Sequence, residues 1–309
     1  KCSPKIRSQD KKERKDYRNW KTVTIDGASA QDFDDAVSVR KLRNGHFLLG
    51  VHIADVSHYV KPGTALDADA YARGTSVYFP DFTLPMLPER LSNDICSLRP
   101  QEERFAFSAL HEIDGEGEVI KIEFHPSVIR TAERMTYNSV CRIFEGDEEE
   151  REKFSDLVPD LLLMRDLARV LRTRRTKEGS LDFDLLEPEL VYKEGSLHSI
   201  VSFEHNEAHQ VIEEFMLTAN EAVASFLGGK SVSLIYRMHP PPGLKDLERL
   251  KEILAHFGLS LPVPKKIRSQ DLQQVLKEVG GKVEEKFITL RVLKSMKPAV
   301  YSEENMGHY

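Results

Sequence analysis

From residue 22 to about residue 130, apolar and polar positions alternate with a period near two, the pattern of strands with one face buried. Strands are expected at 22–25, 36–41, 46–53, 76–79, 105–113 and 118–130, with Asn44-Gly45 and Asp114-Gly115 supplying turns. A proline-rich stretch, 80–100, interrupts them. It is too long for a simple hairpin and reads as a functional or packing loop.

A 3.6-residue period follows. Leu161, Leu162, Leu167, Ala168 and Leu171 form an apolar stripe beside a basic face that includes Arg165, Arg169, Arg172, Arg174, Arg175 and Lys177. A helix over 208–227 turns Val211, Ile212, Phe215, Met216, Ala219, Val223 and Phe226 inward and stops at Gly228-Gly229. Another, 244–257, buries Leu247, Leu250, Ile253, Leu254 and Phe257, and a shorter one covers 271–279. The acidic run 145–152 reads as a solvated loop. Strands followed by helices predict an α+β fold, a β-rich layer backed by helices, with no strong internal boundary.

The chain has 309 residues, 40% hydrophobic and 30% charged, enough for a sizeable core. Its net charge of -6 and pI near 6.0 exclude a generally basic surface, so any contact with nucleic acid must rest on local patches. Residues 1–21 hold nine Lys or Arg against three acids. They read as a basic arm or linker, with an RNA-contacting segment as the alternative, and 22–309 as the folded body. Cys2, Cys96 and Cys141 form no CxxC pair, which points away from disulfides and zinc and toward a reducing, cytoplasmic setting. No apolar stretch has membrane-spanning length, and the N-terminus lacks an apolar signal core.

The candidate chemistry is acidic. Asp26 ends one expected strand, and Asp32, Asp34 and Asp35 lead into the next. Two unit charges about 4 Å apart repel by roughly 4 kcal/mol at an effective dielectric near 20. Four converging carboxylates therefore call for a counter-charge, and Mg2+ supplies one while leaving positions for water and phosphate oxygens. An EF-hand beginning at Asp32 fails, because its sixth and twelfth positions hold Val37 and Arg43. Spacing alone leaves a metal site and a solvated acidic turn both open.

Longer motifs narrow the choice. Thr24-Ile25-Asp26, Gln31-Asp32-Phe33-Asp34-Asp35-Ala36-Val37, the run from His52 to Val60, Arg73 to Pro80, Leu84 to Pro88, Gly179 to Phe183 and Glu213 to Asn220 occur in one order. Together they resemble the catalytic domain of the ribonuclease II and ribonuclease R exoribonucleases, with a tilt toward ribonuclease R. The resemblance implies hydrolysis of single-stranded RNA from the 3' end, releasing nucleoside 5'-monophosphates with Mg2+, two ions acting together. Asp26, Asp32 and Asp35 match its metal-binding aspartates, and Asp34 the one on which catalysis depends most. Tyr78 and Phe183 match a pair that clamps terminal bases, and Tyr137 a tyrosine holding the 3' end. Glu214 matches a contact to ribose or backbone. His52, Asp55, His58 and Asn220 carry no implied chemistry and are expected to hydrogen-bond structurally.

The family also has an arginine block after the position of Tyr309, cold-shock-like domains before the catalytic domain and an S1 domain after it. The expectation is therefore a catalytic domain incomplete at its C-terminal end, weak or inactive by itself. The alternative is an RNA-binding module with little or no turnover.

Overall fold

The computed structural model describes residues 8–79, 82–181, 183, 188–193, 196–202, 205–230, 232–262 and 267–309. Residues 1–7 of the basic block, and Pro80 and Asp182 of the motifs, lie outside the described residues.

In chain order the elements begin with α1 (Ser8–Lys11), β1 (Lys15–Asp16), β2 (Val23–Asp26), β3 (Asp35–Lys41) and β4 (Phe47–Ala54). Two short helices, α2 (Val56–Tyr59) and α3 (Ala65–Arg73), precede a hairpin of β5 (Val77–Tyr78) and β6 (Thr83–Leu84). Then come β7 (Glu103–Ile113), β8 (Val119–Arg130), β9 (Glu133–Thr136), α4 (Tyr137–Glu145), α5 (Glu148–Lys153) and α6 (Val158–Glu178). A hairpin of β10 (Pro188–Lys193) and β11 (Ser196–Ser202) leads to α7 (Glu207–Gly229) and β12 (Tyr236–Met238). The last elements are α8 (Leu244–Ala255), α9 (Ser269–Val279), α10 (Glu285–Ser295) and β13 (Val300–Ser302).

Seven strands form one sheet in the order β1-β8-β7-β4-β3-β2-β9. The period-two pattern separates its faces. Val37, Val39, Leu49, Val51 and Ile113 share a core with Val140 and Ile143 of α4, Leu161 and Leu167 of α6, and Phe215 of α7. Ala36, Ala54, Ala106 and Leu110 face the other way, onto Leu91, Ile95 and Leu98 from the proline-rich stretch. That stretch is therefore a packing element as well as the source of β6 and of a π-helical turn at Arg90–Ile95.

Across four strands of the second face runs a buried polar chain. His52 contacts Ser38 Oγ through Nε2 at 3.1 Å and Ser108 Oγ through Nδ1 at 2.6 Å, and Ser108 meets Ser127 at 2.6 Å. Burial pushes the His52 imidazole down to about 3, so it is neutral and serves as a cross-strand tie. Gly50 lies beneath it: a Cβ there would fall 2.6 Å from Ser38 Oγ and 2.8 Å from His52 Nε2.

Contacts divide the chain into two compact units, residues up to 171 with 188–219, and 172–187 with 220–309. Sequence patterning marks neither α6 nor α7 as a boundary, because both transitions fall inside continuous helices. The second unit packs α8, α9 and α10 around Leu250, Leu254, Leu272, Val275, Ile288 and Val292.

Three local expectations change. Residues 8–21 are not a free arm: β1 pairs in parallel with β8, Arg14 donates to Asp55 at 2.5 Å, and Arg18 and Lys11 both pair with Glu103. Within the acidic run, Asp147 caps α5 by accepting from Glu150 N, and Glu150 is buried against Ser139 and Arg142. A cap followed by three glutamates at the positive end of a helix dipole favours helix over loop. Val223, Phe226 and Phe257, expected inward, are exposed, and α8 ends at Ala255 before reaching Phe257.

Candidate active site

Strand pairing brings the acids to one end of the sheet. β2 and β3 are antiparallel, so the last residue of β2, Asp26, and the first of β3, Asp35, lie at the same end. β9 runs parallel to β2 with Thr136 opposite Asp26, which delivers the next residue, Tyr137, to that end as well. On the other side Asp35 pairs with Ile53, and Ala54 N donates to the carbonyl oxygen of Asp34 at 2.9 Å.

The connection carrying Asp32 and Asp34 is pinned from two directions. Arg134 of β9 donates through Nη2 to the carbonyl oxygens of Gly27, at 2.6 Å, and Ala28, at 3.0 Å. Farther along, Phe33 is buried in the second core, its N–H donates to Ser97 Oγ at 3.1 Å, and Ser97 Oγ donates to Gln31 O at 3.0 Å. The acidic stretch is thus an ordered part of the fold.

Its electrostatics are unfavourable as they stand. Burial, then the charges of Asp35 and Asp32, push Asp26 up to about 7, with the Thr24 hydroxyl and Arg134 opposing. Asp34 keeps a path to solvent, yet the protein crowded around it, with Asp32 and Asp35, raises it to about 6. Burial also raises Asp35. Asp26 Oδ2 is buried without a hydrogen-bond partner. A buried carboxylate oxygen with no donor and with like charges near it is costly, and a hard cation relieves both conditions.

Among the described residues no three His, Cys, Asp or Glu side chains close into a ready-made cage. The donor set fits Mg2+ all the same, since that ion takes one or two carboxylates and completes its shell with water and phosphate oxygens.

Two tyrosines meet the acids. The hydroxyl of Tyr78, on β5, donates to Asp32 Oδ2 at 3.2 Å while its ring is 68% exposed. Tyr137, the first residue of α4, is half-buried, and burial with the charges of Asp26 and Asp35 pushes its hydroxyl up to about 12. It therefore remains an O–H donor at any ordinary pH.

The RNB domain model matches residues 14–309, all but the first 13 residues of the chain. The chain belongs to the RNB family. Ribonuclease R 1 of Lactococcus lactis is 43% identical over 298 residues, covering 96% of this chain and 36% of the relative. Ribonuclease R of Thermotoga maritima is 42% identical over 309 residues, covering 99% of this chain and 43% of its own length. Among solved structures, Mycoplasma genitalium RNase R in complex with ribose methylated single-stranded RNA superposes with a TM-score of 0.91 at 28% identity. That match covers 98% of this chain and 48% of the other. The chain spans half or less of the length of these relatives.

Two RNB motif residues are described by their own packing. Phe183 belongs to the second unit and packs against its helical core. Glu214, in α7, is 2% exposed; its neighbour Glu213 is the one at the surface, 3.6 Å from His205. Asp55 caps α2 by accepting from His58 N, and His58 lies edge-on to Phe105. Both act structurally, as does His52.

Sequence reasoning missed Arg134 and His209. Arg134 stands three residues before Tyr137, and nothing local marks its reach to residues 27 and 28. His209 lies at the start of the helix expected over 208–227, outside its apolar set, and its ring stacks on Tyr137 at 3.8 Å between centroids and 18° between planes. Burial, then His205, pushes it down to about 4, so the stacked ring is neutral.

Proposed function

We propose that this chain is the catalytic domain of a hydrolytic exoribonuclease that shortens single-stranded RNA from its 3' end and releases nucleoside 5'-monophosphates, with Mg2+ as cofactor. The observation that carries the reading is the unpartnered, buried Oδ2 of Asp26 among three further carboxylates. A protein with no use for a cation has no reason to retain that repulsion. RNB relatives named ribonuclease R, one of them solved both with single-stranded and with double-stranded RNA, support RNA as the substrate class.

Asp26, Asp32 and Asp35 would hold Mg2+, which when bound lowers the pKa of water and stabilises charge developing at phosphorus and on the leaving 3' oxygen. Asp34, open to solvent beside the others, is assigned the orientation of the attacking water, the role whose loss costs most. Tyr137, kept protonated, donates its O–H to the 3'-terminal group. Tyr78 offers a face to a terminal base, and Phe183 is assigned a base-stacking contact of its own. A stacking contact reads only a π surface and so accepts any base. Glu214, enclosed by α7 and its neighbours, is assigned to the ribose side of the site.

RNA-attracting surface beyond the acidic centre is assigned to cold-shock-like and S1 domains, and charge neutralisation at the scissile phosphate to an arginine block following Tyr309. Among the described residues no helix is long and apolar enough to cross a membrane. Three cysteines with no CxxC pair fit a reducing setting, and the compartment we assign is the cytoplasm.

The test is a time course with 5'-labelled single-stranded RNA, using the complete protein in Mg2+, in chelator, and as Asp34→Asn. Stepwise shortening from the 3' end that needs the metal and is lost in the variant supports the reading. Binding without shortening, in the complete protein and at every metal concentration, would replace it with the RNA-binding module.

A further inference from the structure

Tyr137 is held by more than its place at the start of α4. Its ring lies flat on that of His209, at 3.8 Å and 18°, and the His205 ring stacks on His209 at 5.3 Å and 28°. Glu213 stands 3.6 Å from His205 Nε2. All four residues belong to the first unit.

His209 is itself locked. It is the third residue of α7, and Asn206, just before the helix, accepts at Oδ1 from the N–H groups of Ala208, at 3.1 Å, and His209, at 3.3 Å. In return the His209 ring reaches back: Nδ1 lies 3.2 Å from Asn206 N and 2.9 Å from Asn206 Oδ1. This is the reciprocal geometry of a capping box, with histidine in the place usually held by Glu or Gln. A capping glutamine would satisfy the same backbone group and offer no flat face. The structure therefore uses a ring where helix capping alone does not require one.

We propose that His209 is the positioning residue for Tyr137: its ring, fixed by the α7 cap, sets the plane of the tyrosine and so aims the hydroxyl at the reacting 3' end beside Asp26 and Asp35. The inference rests on the participation of Tyr137 in the reaction proposed above. A tyrosine has two side-chain torsions, and the stack removes the freedom of both. Aim matters at such a site, since a displacement of about 1 Å can cost on the order of a hundredfold in rate.

The two roles of His209 separate by substitution. His209→Gln keeps the cap and loses the ring; His209→Phe keeps the ring and loses the cap. In the complete protein, assayed on single-stranded RNA, His209→Gln should keep the parent melting temperature and KM while kcat falls about tenfold. His209→Phe should melt earlier yet retain most of kcat when assayed well below its transition. In a Tyr137→Phe background, where there is no hydroxyl left to aim, His209→Gln should cause no further loss. If Tyr137→Phe alone leaves kcat intact, the role given to Tyr137 is wrong and the inference falls with it. If Tyr137→Phe is slow but His209→Gln keeps full kcat, or the two losses multiply, the inference alone is overturned. A purely structural His209 would show kcat following melting temperature in both variants.

Discussion

The hydroxyl of Tyr78 donates to Oδ2 of Asp32 at 3.2 Å, tying an exposed aromatic ring on the β5–β6 hairpin to one carboxylate of the acidic site. The proposed base-stacking face and the proposed metal-binding group thus share one link. Tyr78→Ala should weaken binding of single-stranded RNA by ~1–3 kcal/mol, the value of one stacked base. Tyr78→Phe keeps the ring and should bind RNA nearly as the parent does, while its Mg2+ dependence changes because Asp32 loses its donor. Fluorescence anisotropy with labelled RNA, set beside a metal titration of the rate, separates the two.

Arg134 serves the acids twice, by holding the carbonyls of Gly27 and Ala28 and by lowering the pKa of Asp26. Arg134→Ala loosens the loop and pushes Asp26 further up, so more metal is needed to displace its proton. Apparent Mg2+ affinity or activity should fall by about 10- to 100-fold, as for other supporting groups around metal ligands. Isothermal titration with Mg2+ would show it; an unchanged affinity would leave Arg134 with only a packing role.

The raised carboxyls make a pH prediction whose sign is opposite to that of a salt-bridged acid. Asp26, near 7 in the fold against an ordinary 3.8, contributes stability that is fully present below pH 3.8 and lost as the pH rises from there through about 7. His52 and His111, held near 3 and 4 against 6.5, act the other way, their stability being lost as pH falls below 6.5. The difference between parent and Asp26→Asn cancels the histidines. In chelator, Asp26→Asn should melt above the parent at about pH 8, and the gap should narrow as the pH falls from about 7 toward 4. Mg2+ should raise the parent and leave the variant nearly unchanged. A gap that does not vary with pH would contradict the charge argument.

Gly50→Ala tests the cross-strand tie. The added methyl meets Ser38 Oγ and His52 Nε2, both inside the sheet and neither at the end of a flexible chain. Overpacking of this kind costs typically 1–3 kcal/mol. Chemical denaturation should show a lower midpoint with little change in slope, and residual activity should follow the folded fraction.

Much of this was legible from local pattern. Six strands and four helices were expected within a few residues of where they lie, because a residue facing the core at period two or 3.6 is a property of neighbouring positions. The acids were legible too, since a strand end and the start of the next strand, joined by a short loop, cannot lie far apart. Helix α5 was missed through weight given to charge over the Asp147 cap. The order of the motifs points to the RNB family by itself.

What tertiary structure decided depends on residues far apart in the chain. The parallel pairing of β2 with β9 brings Tyr137 and Arg134 to acids about a hundred positions earlier, and α7 returns to lay His209 on Tyr137. No periodicity encodes such meetings, because they depend on which elements share a core. The raised pKa of Asp26 has the same origin: sequence supplied four negative groups, but the removal of water that makes their repulsion strong exists only once the sheet and helices have closed around them.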